Sequence, residues 1–212
     1  MAGRIQRGRD LKRRKAVRPP YDRVLIVCEG EKTEPNYFGE IRIAQRLSAA
    51  HVRVCHSALG TEPQQIVEFA EAEFLKTRAY ERVYVVFDRD QHRTYANAIA
   101  MAQARHKTLR NDEGKLVPFE AAVSVPCFEA WLLLHFADCQ GALHRRDAYA
   151  RLRTHIAGYE KGLVGTYTAT EAQFNVAAAR AARLRDRFAR LPGDDVYTDV
   201  DLLVAHLLAQ RA

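Results

Sequence analysis

Three carboxylates, Glu29, Asp88 and Asp90, stand where short apolar runs end. Glu29 follows Val-Leu-Ile-Val-Cys28, and Asp88-Arg-Asp90 follows the apolar run at 83–87. Carboxylates two residues apart in extended backbone point to the same side. If the two runs are neighbouring strands of a parallel sheet, all three acids meet at the rim outside the strands' carboxyl ends, where ligands of such sheets bind. One acid there needs no role beyond capping a helix or ending a strand. Three together repel one another, and that arrangement calls for a hard divalent cation held through oxygen, Mg²⁺ or Mn²⁺.

Other residues are of types that could join this site. Glu129 lies in the first turn of an apolar helix and serves either as a further metal ligand or as an answer to the helix dipole. Lys32, beside Glu29 and Gly30, and His92, after the DxD, are candidates for contact with a nucleic-acid phosphate, set against plain surface and loop roles. Lys161, in a glycine-flanked loop with Tyr159 as its companion, is the candidate catalytic cation, set against an ordinary loop lysine. Trp131 and His135 are one helical turn apart and are expected to face the core or a neighbouring helix. Arg180, Arg183, Arg185, Arg187 and Arg190 form a basic run that is either a second phosphate-binding surface or a solvated face.

The elements that must position these residues alternate. A strand ending at Cys28 is followed by a helix in which Thr33 can act as cap and Tyr37, Phe38, Ile41, Ala44 and Leu47 recur at helical spacing. A strand at 52–56 leads to a helix at 63–76, a strand at 83–87 to a helix at 95–109, and a strand at 119–125 to a helix at 128–136. Repeated β-α alternation predicts an α/β fold, a parallel sheet flanked by helices. Beyond residue 140 the pattern is helical, at 147–155, 169–190 and 199–210, broken by Gly158, Gly162 and Gly165 and then by Pro192-Gly193. The expected organisation is an arm at 1–20, a catalytic domain at 21–140 and a helical C-terminal extension at 141–212 packed on it.

Charge is concentrated in the arm. Residues 1–20 carry eight bases, among them Arg13, Arg14 and Lys15, against Asp10 alone, which accounts for the whole net charge of +7. Polar, aperiodic and closed by Pro19-Pro20, the arm is expected not to fold alone, and it serves either as a nucleic-acid tether acting through phosphates or as a solubilising tail. No run approaches the roughly 18 apolar residues of a membrane span, and the basic start lacks the apolar stretch of a signal peptide. A cytoplasmic protein without a membrane partner is the expectation. Cys28, Cys55, Cys127 and Cys139 form no close pair, which argues against zinc or a disulfide framework and for reduced thiols acting as small hydrophobes.

The ordered segments VLIVCEGEKTEPNYF, VYVVFDRDQH and SVPCFEAWLLLHF, behind a basic leader, resemble the RloB family, whose catalytic core is a Toprim domain. The resemblance covers residues 20–140 and extends through Tyr159-Glu-Lys161 and the last helix. Relatives often have asparagine before the proline of the third segment, where this chain has Val125. The resemblance implies a Toprim-like, Rossmann-like sheet, a glutamate in proton transfer at Glu29 and metal-holding aspartates at Asp88 and Asp90. It also implies a nuclease of prokaryotic antiphage defence, acting by abortive infection with an ATPase partner of the AAA or ABC type. A rival from another class is a sensor subunit that binds metal and nucleotide or nucleic acid without cutting it. The sequence leaves homodimerisation and the choice of DNA, transfer RNA or other RNA open.

Overall fold

A computed structural model describes residues 21–90, 92–187 and 195–210. Arg13, Arg14 and Lys15 of the arm, Arg190 and the Pro192-Gly193 break lie outside the described residues. Five strands form one sheet in the order β2-β1-β3-β4-β5. Strands β1 (Val24–Cys28), β2 (Val52–His56), β3 (Arg82–Asp88) and β4 (Phe119–Val125) are parallel, and β5 (Tyr197–Thr198) runs antiparallel to β4. The chain leaves β1 in one direction to reach β2 and returns past it to β3. The β1/β3 boundary is therefore the sheet's switch point, the place where open α/β sheets bind ligands.

Alternation along the central strands explains why the sheet is covered on both faces. Leu25, Val27, Val83, Val85 and Phe87 pack with Ile66, Val67, Ala70 and Phe74 of α2 (Pro63–Thr77) and Ala98, Ile99 and Ala102 of α3 (Tyr95–Arg105). Val24, Ile26, Cys28, Tyr84 and Val86 face the other way, onto α1 (Thr33–Ala44) and α4 (Phe128–Leu133). All five residues of β1 are buried, as the continuous apolar run predicts for a strand covered on both sides.

The C-terminal segment shares this second core. Its helices are α5 (Arg145–His155), α6 (Thr166–Thr170), α7 (Phe174–Arg187) and α8 (Val200–Ala209). Tyr159, Tyr167, Ala177, Leu184 and Leu203 lie in one apolar cluster with Ile26, Tyr37 and Trp131. Several boundaries differ from the sequence reading. The helix expected at 169–190 is split, because a 3₁₀ turn at Glu171–Gln173 separates α6 from α7. The third helix stops at Arg105 and the fourth at Leu133, each shorter than its apolar pattern. The two-residue β5 lay hidden in a stretch read as leading directly into the last helix, for such a strand has no period of its own. Thr33 is not a cap: Lys32 precedes α1 without a side-chain cap, and the Thr33 hydroxyl instead accepts the Gly162 N–H at 3.1 Å.

Among the described residues no helix is long and apolar enough to cross a membrane. The four cysteines are free, and Cys28, Cys127 and Cys139 are buried. Trp131 and His135 face the core: the Trp131 indole donates to the Tyr37 hydroxyl at 3.1 Å, and the two rings stack edge-on at 4.5 Å. Burial pushes the His135 pKa down to about 4. Three of the described arginines of the C-terminal run have partners within the fold. Arg180 donates to the Leu134 carbonyl at 2.7 Å and Arg185 to the Asp201 carboxylate at 2.5 and 2.8 Å, while Arg183 lies 3.7 Å from Asp138.

Candidate functional site

Glu29 is the first residue beyond β1, and its placement is fixed through the neighbouring strand. Its backbone N–H donates to the Val86 carbonyl, and its Oε2 accepts the Asp88 N–H at 2.9 Å. Asp88 ends β3, pairs in register with Ser124 of β4, and accepts the backbone N–H of Phe128 at the start of α4. Glu129, the next residue of α4, is buried, and its Oε1 accepts the Tyr159 hydroxyl at 3.1 Å. These three acids, with Glu34, Lys32, Arg145 and Lys161, line one cavity of about 310 Å³.

Glu34 belongs to the site and had been assigned no role from sequence. It sits in the first turn of α1, it is only 6% exposed, and its carboxylate lies over Gly30, where a Cβ would fall 2.2 Å from Glu34 Oε2. The missing side chain at Gly30 is what lets that carboxylate approach. The usable signal was an acid in the first helical turn five residues beyond Glu29, in the segment Glu29-Gly-Glu-Lys-Thr-Glu34.

Enclosing like charges makes them resist ionisation. Burial, then repulsion from Glu34, Glu29 and Glu129, raises Asp88 well above the usual carboxylate range. Burial and the nearby Glu29 and Glu129 push Glu34 up to about 7. Glu29 is also raised, chiefly by burial, against the pull of the Asp88 N–H and of His92.

Asp90 stands to one side. Its backbone adopts φ +36°, its N–H donates to the Pro126 carbonyl beyond the cis Val125-Pro126 bond, and its carboxylate pairs with Arg145. Asp90 and Arg145 line an adjoining cavity of about 340 Å³, so Arg145 faces both hollows. His92 does not reach outward as a free loop residue, since its ring bridges Glu29 and Glu62. Arg145 is another residue of the cavity to which the sequence reading gave no role. A base in the first turn of a helix runs against the dipole, and that misfit was its only trace.

Lys161 reaches the cavity because its loop is pinned to α1. Asn36 donates to the Gly162 carbonyl at 2.9 Å, and Glu40 accepts the N–H groups of Gly165 and Tyr167 at 2.6 and 2.8 Å. Gly162 adopts φ +84°, and a Cβ there would lie 2.8 Å from the Lys32 Cβ, so glycine is required for both backbone and space. Lys32 and Lys161 thereby come to the same cavity.

Among the described residues no three His, Cys, Asp or Glu side chains are placed to hold a metal ion together. The donor chemistry nevertheless suits a hard divalent cation: Glu29, Glu34, Asp88 and Glu129 offer only carboxylate oxygens, and their enclosure leaves charge that a cation would neutralise.

No curated protein and no solved structure matches the chain. A family model described as RloB-like protein matches residues 24–207, a span that contains β1 through the greater part of α8 and every residue of the cavity, and the chain belongs to that family.

Proposed function

We propose that this chain is a divalent-metal-dependent phosphodiesterase acting on nucleic acid, the Toprim effector of an antiphage abortive-infection system that works with an ATPase partner. One observation carries the chemistry: four carboxylates enclosed at the sheet's switch point share a single cavity with Lys32, Arg145 and Lys161. Carboxylates alone would repel a phosphate and cations alone would only bind one. Their opposition within one cavity is what metal-assisted phosphoryl chemistry uses. The defence role and the partner rest on the resemblance of the motifs to RloB proteins.

In this reading Asp88, Glu29 and Glu129 would hold Mg²⁺ or Mn²⁺ once their carboxylates draw together around it, and Asp90 would join them on release from Arg145. Such a cation would supply Lewis-acid polarisation of the phosphate and charge stabilisation at the departing oxygen. Lys161 and Arg145 draw the phosphodiester into the cavity and offset its growing charge, and Lys32 does the same at the mouth. Glu29, whose affinity for a proton is raised chiefly by burial, takes a proton from water or delivers one to the leaving oxygen.

A second reading, a sensor subunit that binds without cutting, draws on the Asp90–Arg145 ion pair, which ties up one of the two aspartates. Profiling total cell nucleic acid after co-expression with a candidate AAA- or ABC-type ATPase partner separates the two. New cleavage products that require Mg²⁺ or Mn²⁺ and vanish in Glu29→Gln and Asp88→Asn are expected. Identical profiles from wild type and both variants, with metal binding intact, would establish the sensor.

A further inference from the structure

The hydrogen bonds around Glu29 continue outward in a chain that none of the assigned roles uses. Both of its oxygens are engaged: Oε2 accepts the Asp88 N–H at 2.9 Å, and Oε1 lies 3.3 Å from His92 Nε2. The opposite ring nitrogen, Nδ1, lies 3.3 Å from Glu62 Oε1. Glu62 Oε2 in turn accepts the Thr94 hydroxyl at 2.7 Å. The His92 side chain is 18% exposed and that of Glu62 is 50% exposed, so the chain runs from the surface to the enclosed acid.

Glu62 itself is fixed by the backbone. It precedes α2 as the cap residue of a reciprocal box with Gln65, whose Oε1 accepts the Glu62 N–H at 3.3 Å. Thr94 directly precedes α3, where its hydroxyl is given to Glu62 and not to the helix's own backbone, and His92 lies just before it. The loop after β2 and the loop after β3 are therefore joined through Glu62, and the ring between the two carboxylates is held at both nitrogens. A ring with a carboxylate 3.3 Å from each nitrogen is restrained from turning away from Glu29, and outer partners of this kind set the orientation of the group that does the chemistry.

We infer that Glu62 is a positioning residue of the catalytic centre: by fixing the His92 ring it sets the orientation of the Glu29 carboxylate, though it touches neither the cavity nor its contents. The inference rests on the phosphodiesterase reading of Glu29. It separates His92 from the phosphate-binding role suggested by its position after the DxD and makes it an internal brace of the acid.

A double-mutant cycle tests it. Glu62→Ser keeps a good helix cap but is too short to reach the ring, and His92→Ala removes the ring. Metal-dependent turnover is measured in the full chain with its ATPase, and Mn²⁺ affinity is measured by titrating the metal alone into the isolated chain. Each single variant should lower kcat or Mn²⁺ affinity by about tenfold, the range found for outer-shell partners, with KM for nucleic acid changed less than about twofold. The double variant should be no worse than His92→Ala, and His92→Gln, which still offers an N–H, should recover part of the loss. Losses that multiply in the double variant, or a Glu62→Ser chain with wild-type kcat and Mn²⁺ affinity, overturn the inference. If Glu29→Gln keeps full turnover, the reading of Glu29 fails instead. The Mn²⁺ cycle decides the coupling of Glu62 to His92 even where no substrate is cut.

Discussion

The two halves of the cavity are built differently. The acids Glu29, Glu34, Asp88 and Glu129 come from the ends of β1 and β3 and the first turns of α1 and α4, and the strand ladder and short turns fix them. Two of the three cations, Arg145 and Lys161, come from the segment after residue 140, which crosses the molecule to reach them. The acid half is thus a property of the sheet and the helix turns that follow it, whereas two of the three cations depend on the C-terminal segment packing on α1 and α4. Enclosed acids raise one another's proton affinity. The cations spend their charge on the cavity and, for Arg145, on Asp90.

The largest effect expected from this contrast is at the acid half. Asp88→Asn should lower metal-dependent turnover by about 10³-fold, since a lost metal ligand forfeits several kcal/mol of transition-state stabilisation at about 1.4 kcal/mol per tenfold. Without metal the same variant should melt at the wild-type temperature or above, because a repelled carboxylate has been neutralised in place. A clear drop in the metal-free melt would mean that Asp88 is a structural cap, and the contrast would fail.

The next effect lies in the cationic half. Lys161→Ala and Arg145→Ala should each cost about 10²-fold in turnover, as expected for a group that stabilises developing charge. Their melts should move by less than about 1 kcal/mol, because the Arg145–Asp90 pair is partly solvated and exposed pairs contribute little. Turnover unchanged in both variants would leave the acids to act without cationic help.

The same division decides what the sequence made legible. Glu29, Asp88 and Asp90 could be read because strand ends are marked by abrupt loss of apolar residues, and strand order follows from the crossover rule. The neighbouring β1 and β3 that the reading needed are present. Tyr159 and Lys161 were singled out by their glycine-flanked loop and by the motif resemblance, since nothing local shows that a loop so distant in sequence returns to Glu29. Arg145 was missed for the same reason, and Glu34 because a first-turn acid has an ordinary explanation in the helix dipole. The side excursion of Asp90 depends on its φ of +36° and on its ion pair, neither of which residue spacing encodes. The arginine run misled because a stripe of bases does not reveal that carbonyls and Asp201 await it.

A smaller effect should follow from undoing the docking of the loop. Gly162→Ala places a Cβ at φ +84° and 2.8 Å from the Lys32 Cβ, a strain of about 1–3 kcal/mol that the loop relieves by shifting. Turnover should drop about tenfold through the displaced Lys161, while metal affinity, a property of the acid half, stays within about twofold. Equal losses in both would show that the halves are not separable.

The smallest effect, and the most direct measure of strain in the acid half, is the pH dependence of stability. Glu34 has an ordinary pKa of 4.5 and is pushed up to about 7 in the fold. Between those values the unfolded chain has released the proton and the folded chain still holds it, so stability falls as pH rises through that window. The full loss is present above pH 7 and amounts to at most about 3 kcal/mol, shared with Asp88 and Glu29 because the three are coupled. His135 acts with the opposite sign. Its pKa falls from 6.5 to about 4 on folding, so it costs stability as pH drops through that range. The informative quantity is therefore the difference between wild type and Glu34→Gln at each pH, in which the His135 contribution cancels. Metal-free melts should show the variant gaining on the wild type as pH rises from about 4.5 to 7, with a plateau beyond. Mg²⁺ or Mn²⁺ at pH 8 should raise the wild-type melt and narrow that gap. Parallel melts of the two proteins from pH 4.5 to 8 would show that Glu34 is not strained by its neighbours, and the acid half would then carry no electrostatic debt for a cation to offset.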